Sequence, residues 1–440
     1  MIVGGRLAGA SLAARLGARG VSVLLVDKAD FPSLPEVPSC PAVHSGVMHL
    51  LDEIGLPETA YRAAVTPIRT YVVGFEGYFQ STFGVPVTRG RDYVYGFDRA
   101  RFDHALWEHL ASFPTVTRRA GFTVNELVRN DAGRVIGIVG APRGGPPERF
   151  LARLAVVGAD GRHSPLARRV GARVIEDRAA KTTTVHFAPW AEIAPITPDG
   201  SPAIHVVGTG RGRQALFFPS REGLTNVVLQ VRSDLADTDG DAQAYYLRQL
   251  QSLETVRQRL EGARQVGPLM GLRRIGNRYR EHGGPGWVLV GDALHHKDPL
   301  DGQGIYDALV EARHLAELLV DHRDGRASWE ALLARYRRAV ADETRGMFES
   351  TLARLSRELY DEPPELMIRT LARWSLEDPE YQRRFLSMIT RAIPAERWQT
   401  PTLMAGVVAR GIGRDLRGLL RRATRRGAPA RRDAPARRDA

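Results

Sequence analysis

Apolar positions fall into short strand-like runs over the first three hundred residues and into helical spacing towards the end. Ile2-Val3 is a brief apolar run, Gly4 to Gly9 a turn, Ala10 to Leu16 a helix-forming stretch, and Val21 to Val26 a buried-strand pattern closing on Asp27. This pattern predicts a strand, turn, helix, strand unit whose first strand opens at Met1 and is short for its type. Two later segments repeat the strand-to-turn step. Ala155-Val156-Val157 empties into Gly158-Ala159-Asp160-Gly161-Arg162-His163-Ser164 and then a helix containing Leu166 to Val170. Trp287 to Val290 runs into Gly291-Asp292-Ala293, then a loop with His295, His296, Lys297, Asp298 and Pro299. Gly302-Gln303-Gly304 next opens a helix with Ile305, Ala308, Leu309, Ala312 and Leu315 on one face.

Further β-like runs, Thr70 to Phe75, Thr183 to Phe187, Ala203 to Val207, Gln214 to Phe218 and Thr225 to Val231, predict a second sheet. Helical patterns dominate from Asp241 to Leu260 and from Trp329 to Leu420. A chain of 440 residues with 43% hydrophobic content exceeds one compact domain, so at least two lobes are expected, which leaves room for a binding cleft between them. No signal-peptide pattern and no apolar run of about eighteen residues is present, which predicts a cytoplasmic protein without a membrane span. One cysteine, Cys40, leaves no internal disulfide, and no His/Cys/Asp spacing suits a metal, so none is expected. Cys40 lies in the Ser39 to Gly46 loop and reads as inert, with no cation beside it in the sequence.

The net charge of +12 suggests nucleic acid until it is located along the chain. Residues 410 to 440 hold eleven Arg and three Asp, so the first 409 residues carry only +4. Residues 421 to 440 include Ala428-Pro429-Ala430-Arg431-Arg432-Asp433 and its repeat, a low-complexity segment read as a disordered basic tail. Without interleaved aromatics it does not read nucleic acid; an arm for acidic partners or a membrane surface is its minority reading.

The turns carry the candidate chemistry. In a strand, glycine turn, helix unit the backbone N–H groups and the helix N-terminus meet a pyrophosphate, and an acid closing the second strand takes a ribose hydroxyl. Asp27 stands eighteen residues after Gly9, close to that spacing. Arg6 occupies the place of the middle glycine; turned outward, its guanidinium can contact phosphate. Asp292, at a strand's carboxyl end, suits sugar-alcohol hydroxyls, and the Gly302-Gln303-Gly304 helix start offers N–H donors to negative charge.

Gly4-x-Arg6-x-x-Gly9, Gly158-Ala159-Asp160-Gly161 and Gly291-Asp292 with Pro299 and Gly302-Gln303-Gly304, in this order and spacing, resemble the group A flavoprotein monooxygenase superfamily. That superfamily includes para-hydroxybenzoate hydroxylase, flavin-dependent halogenases and geranylgeranyl reductases. Arg99-x-x-Phe102-Asp103-x-x-Leu106 is similar to the same superfamily's Arg-x-x-Leu-Asp-x-x-Leu helix. The resemblance covers about the first 320 residues and implies FAD as cofactor, with NADH or NADPH as transient reductant. It places Gly4, Arg6, Gly9, Asp27 and Lys28 at the ADP half, Arg99 beside FAD, and Asp160 and Gly161 near the dinucleotide and the reductant path. Asp292 falls at the ribityl chain, with Pro299, Gly302, Gln303 and Gly304 around the flavin.

The implied fold is α/β, α+β overall: a Rossmann-like FAD-binding domain (1–69, 98–175 and 283–322), an inserted β-sheet substrate domain (70–97 and 176–282), a helical region (323–420) and the tail (421–440). The implied reaction is oxygen transfer from a flavin hydroperoxide to a small substrate, apolar or aromatic, which is hydroxylated or epoxidised. The alternatives are reduction of a C=C bond as in geranylgeranyl reductases, halogenation, and a non-catalytic flavin-binding regulator. Of the reductase's Tyr-x-Trp-x-Phe-Pro pattern only Phe218-Pro219 stands. Halogenation needs a substrate-lobe lysine and a Trp-x-Trp-x-Ile-Pro segment, whereas Trp190 stands alone and Lys181 lacks that context.

His296 is the candidate catalytic group, as a proton relay beside the flavin, with His295 a loop-shaping neighbour. Lys297, one of three lysines, reads as a salt-bridge partner within its loop. Of the pair Phe217 and Phe218 one is expected in the core and one on the opposite face, while Trp190 and Tyr279 read as core or interface. A nucleic-acid partner is not expected, and the sequence leaves the oligomeric state open.

Overall fold

The computed structural model describes residues 1–35, 42–62, 65–221, 223–237 and 240–426. Cys40 and residues 427–440 of the expected tail lie outside the described residues. The fold is mixed α/β. Its first layer is a six-stranded sheet in the order Gly283–Gly284, Trp287–Leu289, Val156–Gly158, Ile2–Val3, Val23–Val26, Val116–Arg119. All its pairings are parallel except the first. Val3 pairs with both Gly158 and Val26, and Gly158 pairs with Leu289, so the three glycine turns and Asp27 leave one edge of the sheet side by side. In an open parallel sheet that carboxyl edge is where ligands bind.

The helix Leu7–Gly17 is buried from Leu7 to Leu16, and its Ala, Gly and Ser content lets the helix Gly304–Arg323 lie close against it. Gly9 is required by contact: a Cβ there would sit 1.8 Å from the Gly4 carbonyl oxygen. Gly4 itself holds φ +105° under the Ala159 carbonyl, a conformation that L side chains rarely adopt.

The second large sheet has the order Arg264–Gln265, Thr183–Ala191, Leu224–Arg232, Arg213–Arg221, Ala203–Gly208, Thr70–Phe75, Phe79–Gly84, with Met270–Ile275 also pairing on Thr183–Ala191. Strand alternation gives it two apolar faces. Phe217, with Ala188, Trp190 and Leu229, packs under the helices Ala242–Gln251 and Glu254–Arg259, while Leu216, Phe218, Val185 and Val228 face the other way. The Phe pair thus divides as its sequence position predicts. Tyr279 is buried and stacks on His295 with ring centroids 4.7 Å apart.

An antiparallel sheet of Phe122–Arg129, Val135–Pro142 and Glu148–Leu151 adds to the first lobe, an element the sequence reading did not predict. The helices Trp329–Leu355, Pro379–Ile389 and Pro401–Arg426, with π-helical turns at Ser356–Tyr360 and Ile368–Ala372, form the C-terminal end. The last helix runs to Arg426, six residues into the segment expected to be disordered, because residues 421–426 are mostly Arg and Ala, which are good helix formers. No described helix is long and apolar enough to cross a membrane.

Candidate active site between two cavities

A cavity of about 610 Å³ opens along the carboxyl edge of the parallel sheet. Thirteen of the fourteen predicted site residues line it: Gly4, Arg6, Asp27, Lys28, Arg99, Asp160, Gly161, Asp292, His296, Pro299, Gly302, Gln303 and Gly304. Gly9 does not; it shapes the turn behind the wall.

At one end the Asp27 carboxylate is fixed by two backbone donors, the Gly5 N–H at 2.6 Å and the Ala29 N–H at 2.8 Å, with lone pairs left for a sugar hydroxyl. Beside it lies the start of the helix Leu7–Gly17, whose first-turn N–H groups have no intrahelical acceptor. Arg6 departs from expectation here. Its guanidinium does not turn outward to the cavity but donates to Asp103 at 2.6 Å, to the Ser33 carbonyl at 2.9 Å and to the Leu34 carbonyl at 3.0 Å, and stacks over Phe31. Its backbone sits at φ −86°, which any residue adopts, so the position does not require glycine. Arg99 pairs with the same Asp103 carboxylate.

Asp160 accepts from the Ser164 hydroxyl at 2.6 Å and the Leu166 N–H at 2.8 Å, holding the start of the helix Pro165–Val170; its burial raises its pKa. At the far end Asp292 is the free acceptor. Its carboxylate takes no hydrogen bond among the described residues, is 36% exposed and has Arg162 Nε 4.0 Å away. A Cβ on Gly304 would project into open space, its nearest atom Asp292 Oδ1 at 3.9 Å. Gln303 is anchored elsewhere, donating to the Asp301 and Ile389 carbonyls and accepting from Arg391.

The loop between them holds a buried charge cluster. Lys297 donates to Asp307, and Arg391 donates to the same carboxylate at 2.7 Å. The Lys297 partner therefore sits on the following helix, not within the loop. His295 Nδ1 lies 2.6 Å from Glu311 Oε1 and its Nε2 3.6 Å from Asp307. Complete burial opposes its protonation, but the Glu311 and Asp307 carboxylates outweigh this and push His295 up to about 9. His296 has the opposite setting. Burial and the nearby Arg162 and Arg280 guanidiniums drive its pKa far below the usual imidazole range. Its ring is thus held in the neutral form, with Nδ1 3.4 Å from the Asp292 carbonyl.

A second cavity, of about 640 Å³, lies between the large sheet and the C-terminal helices. Val185, Ile204, Phe218 and Leu371 are among the side chains that make its lining mostly apolar. It shares Arg162, Pro299 and Gly302 with the first cavity, so the two meet at the 299–302 turn. At that meeting point a chain of buried polar groups crosses from sheet to loop: Gln214 donates to Gln230 at 2.8 Å, and Gln230 donates to Asp298 at 2.7 Å. Asp298 also accepts from Thr183, and its burial pushes it up to about 6.

Sequence reasoning missed Arg162, Asp298, Gln214 and Gln230. Two signals were present: Arg162 directly follows the predicted Gly161, and Gln230 interrupts an apolar run while Gln214 opens one. A third, more open cavity of about 550 Å³ carries Arg168, Arg273, Arg274, Arg278 and Arg280 and shares Arg162, His163, Arg168 and His296 with the first.

The family model described as FAD binding domain matches residues 1–350. Among curated proteins the chain is similar to a 1H-pyrrole-2-carbonyl peptidyl-carrier protein chlorinase of Pseudomonas fluorescens, 26% identical over 71% of this chain and 73% of that protein. It is also similar to the 3-demethoxyubiquinol 3-hydroxylase of Escherichia coli, 25% identical over 78% of this chain and 85% of that protein. Among solved structures the flavin-dependent brominase Bmp2 superposes with a TM-score of 0.76 at 16% identity, covering 93% of this chain and 97% of that one.

Proposed function

Because the chain belongs to the FAD binding domain family and is an FAD-dependent oxidoreductase, we propose that it is an NAD(P)H-dependent monooxygenase that hydroxylates or epoxidises a small apolar or aromatic molecule. FAD, when bound, takes electrons from a nicotinamide and passes one oxygen atom of O₂ to an organic substrate.

The residues present fit that cofactor. With FAD in this cavity, Asp27 would meet the ribose, the Leu7–Gly17 helix start the pyrophosphate and Asp292 the ribityl hydroxyls, and the Gly302 to Gly304 turn would offer backbone N–H groups to the ring. The observation that carries the reading is the shared wall of the two cavities. An apolar chamber opens onto the cofactor channel at Arg162, Pro299 and Gly302, where a substrate and the flavin ring would face each other away from bulk water. The arginine-rich third cavity touches the same channel and suits the phosphates of a nicotinamide dinucleotide.

None of the three lysines lines the apolar chamber, which weighs against the halogenation alternative. Lys28 and Lys297 line the cofactor channel, and Lys181 donates to Ser356 and lies over the Tyr360 ring. The test is turnover of the yellow protein with NADH or NADPH under ¹⁸O₂ and an aromatic or polyene substrate panel. One ¹⁸O atom per product is the expected result. A product gaining two hydrogens and no label would favour the reductase alternative. Label-free halogenated product in the presence of bromide would favour halogenation.

A further inference from the structure

The final helix, Pro401–Arg426, has two unlike halves. Its first half is docked: Leu403 and Val407 are buried, Gly411 packs on Trp374, Arg410 pairs with Asp378, and Asp415 accepts from Arg373 and Trp374. From Leu416 onward the described side chains stand exposed. Ile412, Leu416, Leu419 and Leu420 are 45%, 56%, 62% and 67% exposed. At helical spacing these four fall within an arc of about 100°. Arg417 and Arg421 fall on the opposite arc, as do Leu403, Val407 and the body-held Arg410 and Arg414, which face Asp378 and Glu377, so the apolar stripe points away from the body that the first half grips.

Four large aliphatic side chains in one stripe are an unusual solvent-facing surface for a helix end. Their surroundings narrow what could cover them. Residues 410–426 carry seven Arg against one Asp, and residues 427–440 add four Arg and two Asp, with no large apolar residue to fold back onto the stripe. An apolar stripe opposed by an arginine face is the arrangement that lies in the headgroup region of an anionic bilayer, aliphatic side down. We propose that the helix end from Ile412 onward docks the protein on anionic membrane surfaces. The Arg373–Asp415 and Trp374–Asp415 contacts tie this helix to the 368–376 segment, whose Ile368 and Leu371 wall the apolar chamber. Docking therefore anchors the lobe that encloses that chamber, and it stands apart from the choice of reaction.

The test is co-sedimentation of the full chain with vesicles of phosphatidylglycerol and phosphatidylcholine, against phosphatidylcholine alone. Binding to the anionic vesicles only, weakening as salt is raised, is the expected result. Leu416→Glu with Leu419→Glu should lower partition about a hundred-fold, and Arg417→Glu at least about five-fold. Flavin content and Tm should stay unchanged in both variants, since these side chains are exposed. Equal binding of the Leu416→Glu/Leu419→Glu variant would overturn the proposal, because arginine charge alone would then suffice. So would concentration-dependent self-association in sedimentation velocity abolished by that variant, which would make the stripe an interface between copies. Retention on soluble polyglutamate without vesicle binding would assign the surface to an acidic protein instead.

Discussion

Arg6 and Arg99 converge on the carboxylate of Asp103, Arg6 Nη1 at 2.6 Å from Oδ2 and Arg99 Nε at 3.1 Å from Oδ1. Asp103 is fully buried, and its two partners keep 20% and 12% side-chain exposure. The trio fastens the glycine turn to the helix Arg99–His109 and, through Ser33 and Leu34, to the chain beyond Asp27. The residue that breaks the glycine pattern is thus part of a clamp, and the clamp includes the second motif Arg99-x-x-Phe102-Asp103.

Two substitutions separate clamp from phosphate contact. Asp103→Asn leaves two guanidiniums facing a neutral amide, so stability should fall by about 2–4 kcal/mol, less than for a fully buried pair because both arginines reach solvent. Arg6→Gly keeps the Arg99 pair and should lose about 1–2 kcal/mol while FAD affinity stays within a few-fold. Chemical denaturation and flavin titration check both. An FAD affinity loss beyond ten-fold in Arg6→Gly would return Arg6 to the phosphate.

At the other end of the channel, Asp292→Ala should weaken FAD binding by about 1–3 kcal/mol, since it removes a charged acceptor that no described protein group uses. Gly304→Val should weaken it further with the apoprotein Tm unchanged, because the added side chain projects into space the protein leaves open. Flavin content after gel filtration reads both. Full retention by either variant would move the cofactor away from the 302–304 turn.

The parts of this site legible in sequence are those fixed by local geometry. A glycine with φ +105°, a strand closing on Asp27 and a glycine-opened helix follow from a few neighbouring residues, so all but one of the residues expected at the site fall on this cavity's wall. What escaped depends on residues far apart in the chain. Asp103 lies 97 positions from Arg6, and Gln230 lies 68 from Asp298, so neither pairing leaves a local pattern. The three-stranded sheet at 122–151 was missed for a different reason: its outer strands Phe122–Arg129 and Glu148–Leu151 are half polar and mostly exposed or half-buried, which leaves the apolar central strand Val135–Pro142 without a patterned neighbour in the sequence.

His295 and His296, adjacent in sequence, are set to titrate in opposite directions. His295 is raised to about 9 by Glu311 and Asp307, above its ordinary unfolded value near 6.5. Its contribution to stability is therefore complete below about pH 6.5 and is lost as pH rises through about 9. Subtracting the stability of His295→Gln from that of the parent should give a difference that shrinks between pH 7 and 10, by up to about 3 kcal/mol. A flat difference would mean that His295 stays neutral. His296 is lowered by burial and by Arg162 and Arg280, so it carries no proton to release over the working range. His296→Ala should change the turnover rate without moving either limb of its pH profile, and a displaced limb would restore the proton relay.

Arg162 borders all three cavities, and its Nε is buried without a hydrogen-bond partner. A buried guanidinium N–H left unpaired is destabilising unless something else accepts from it. The Asp292 carboxylate at 4.0 Å is too distant for a hydrogen bond, and the space around the group is cavity. The expected acceptor is an anionic or carbonyl oxygen arriving with a ligand, from the nicotinamide side or from the flavin. Arg162→Gln should leave the fold intact, since the side chain is held by no described ion pair closer than 4.0 Å. Loss of a charge-assisted hydrogen bond is worth about 1.5–3 kcal/mol, which converts to a ten- to hundred-fold effect. Stopped-flow reduction under nitrogen shows where that effect falls. A slower or weaker reduction by NAD(P)H with normal FAD content places Arg162 at the reductant, and a loss of FAD places it at the flavin. Unchanged reduction, flavin content and product yield would show that no ligand reaches this nitrogen, and the meeting of the three cavities at Arg162 would then be a feature of packing alone.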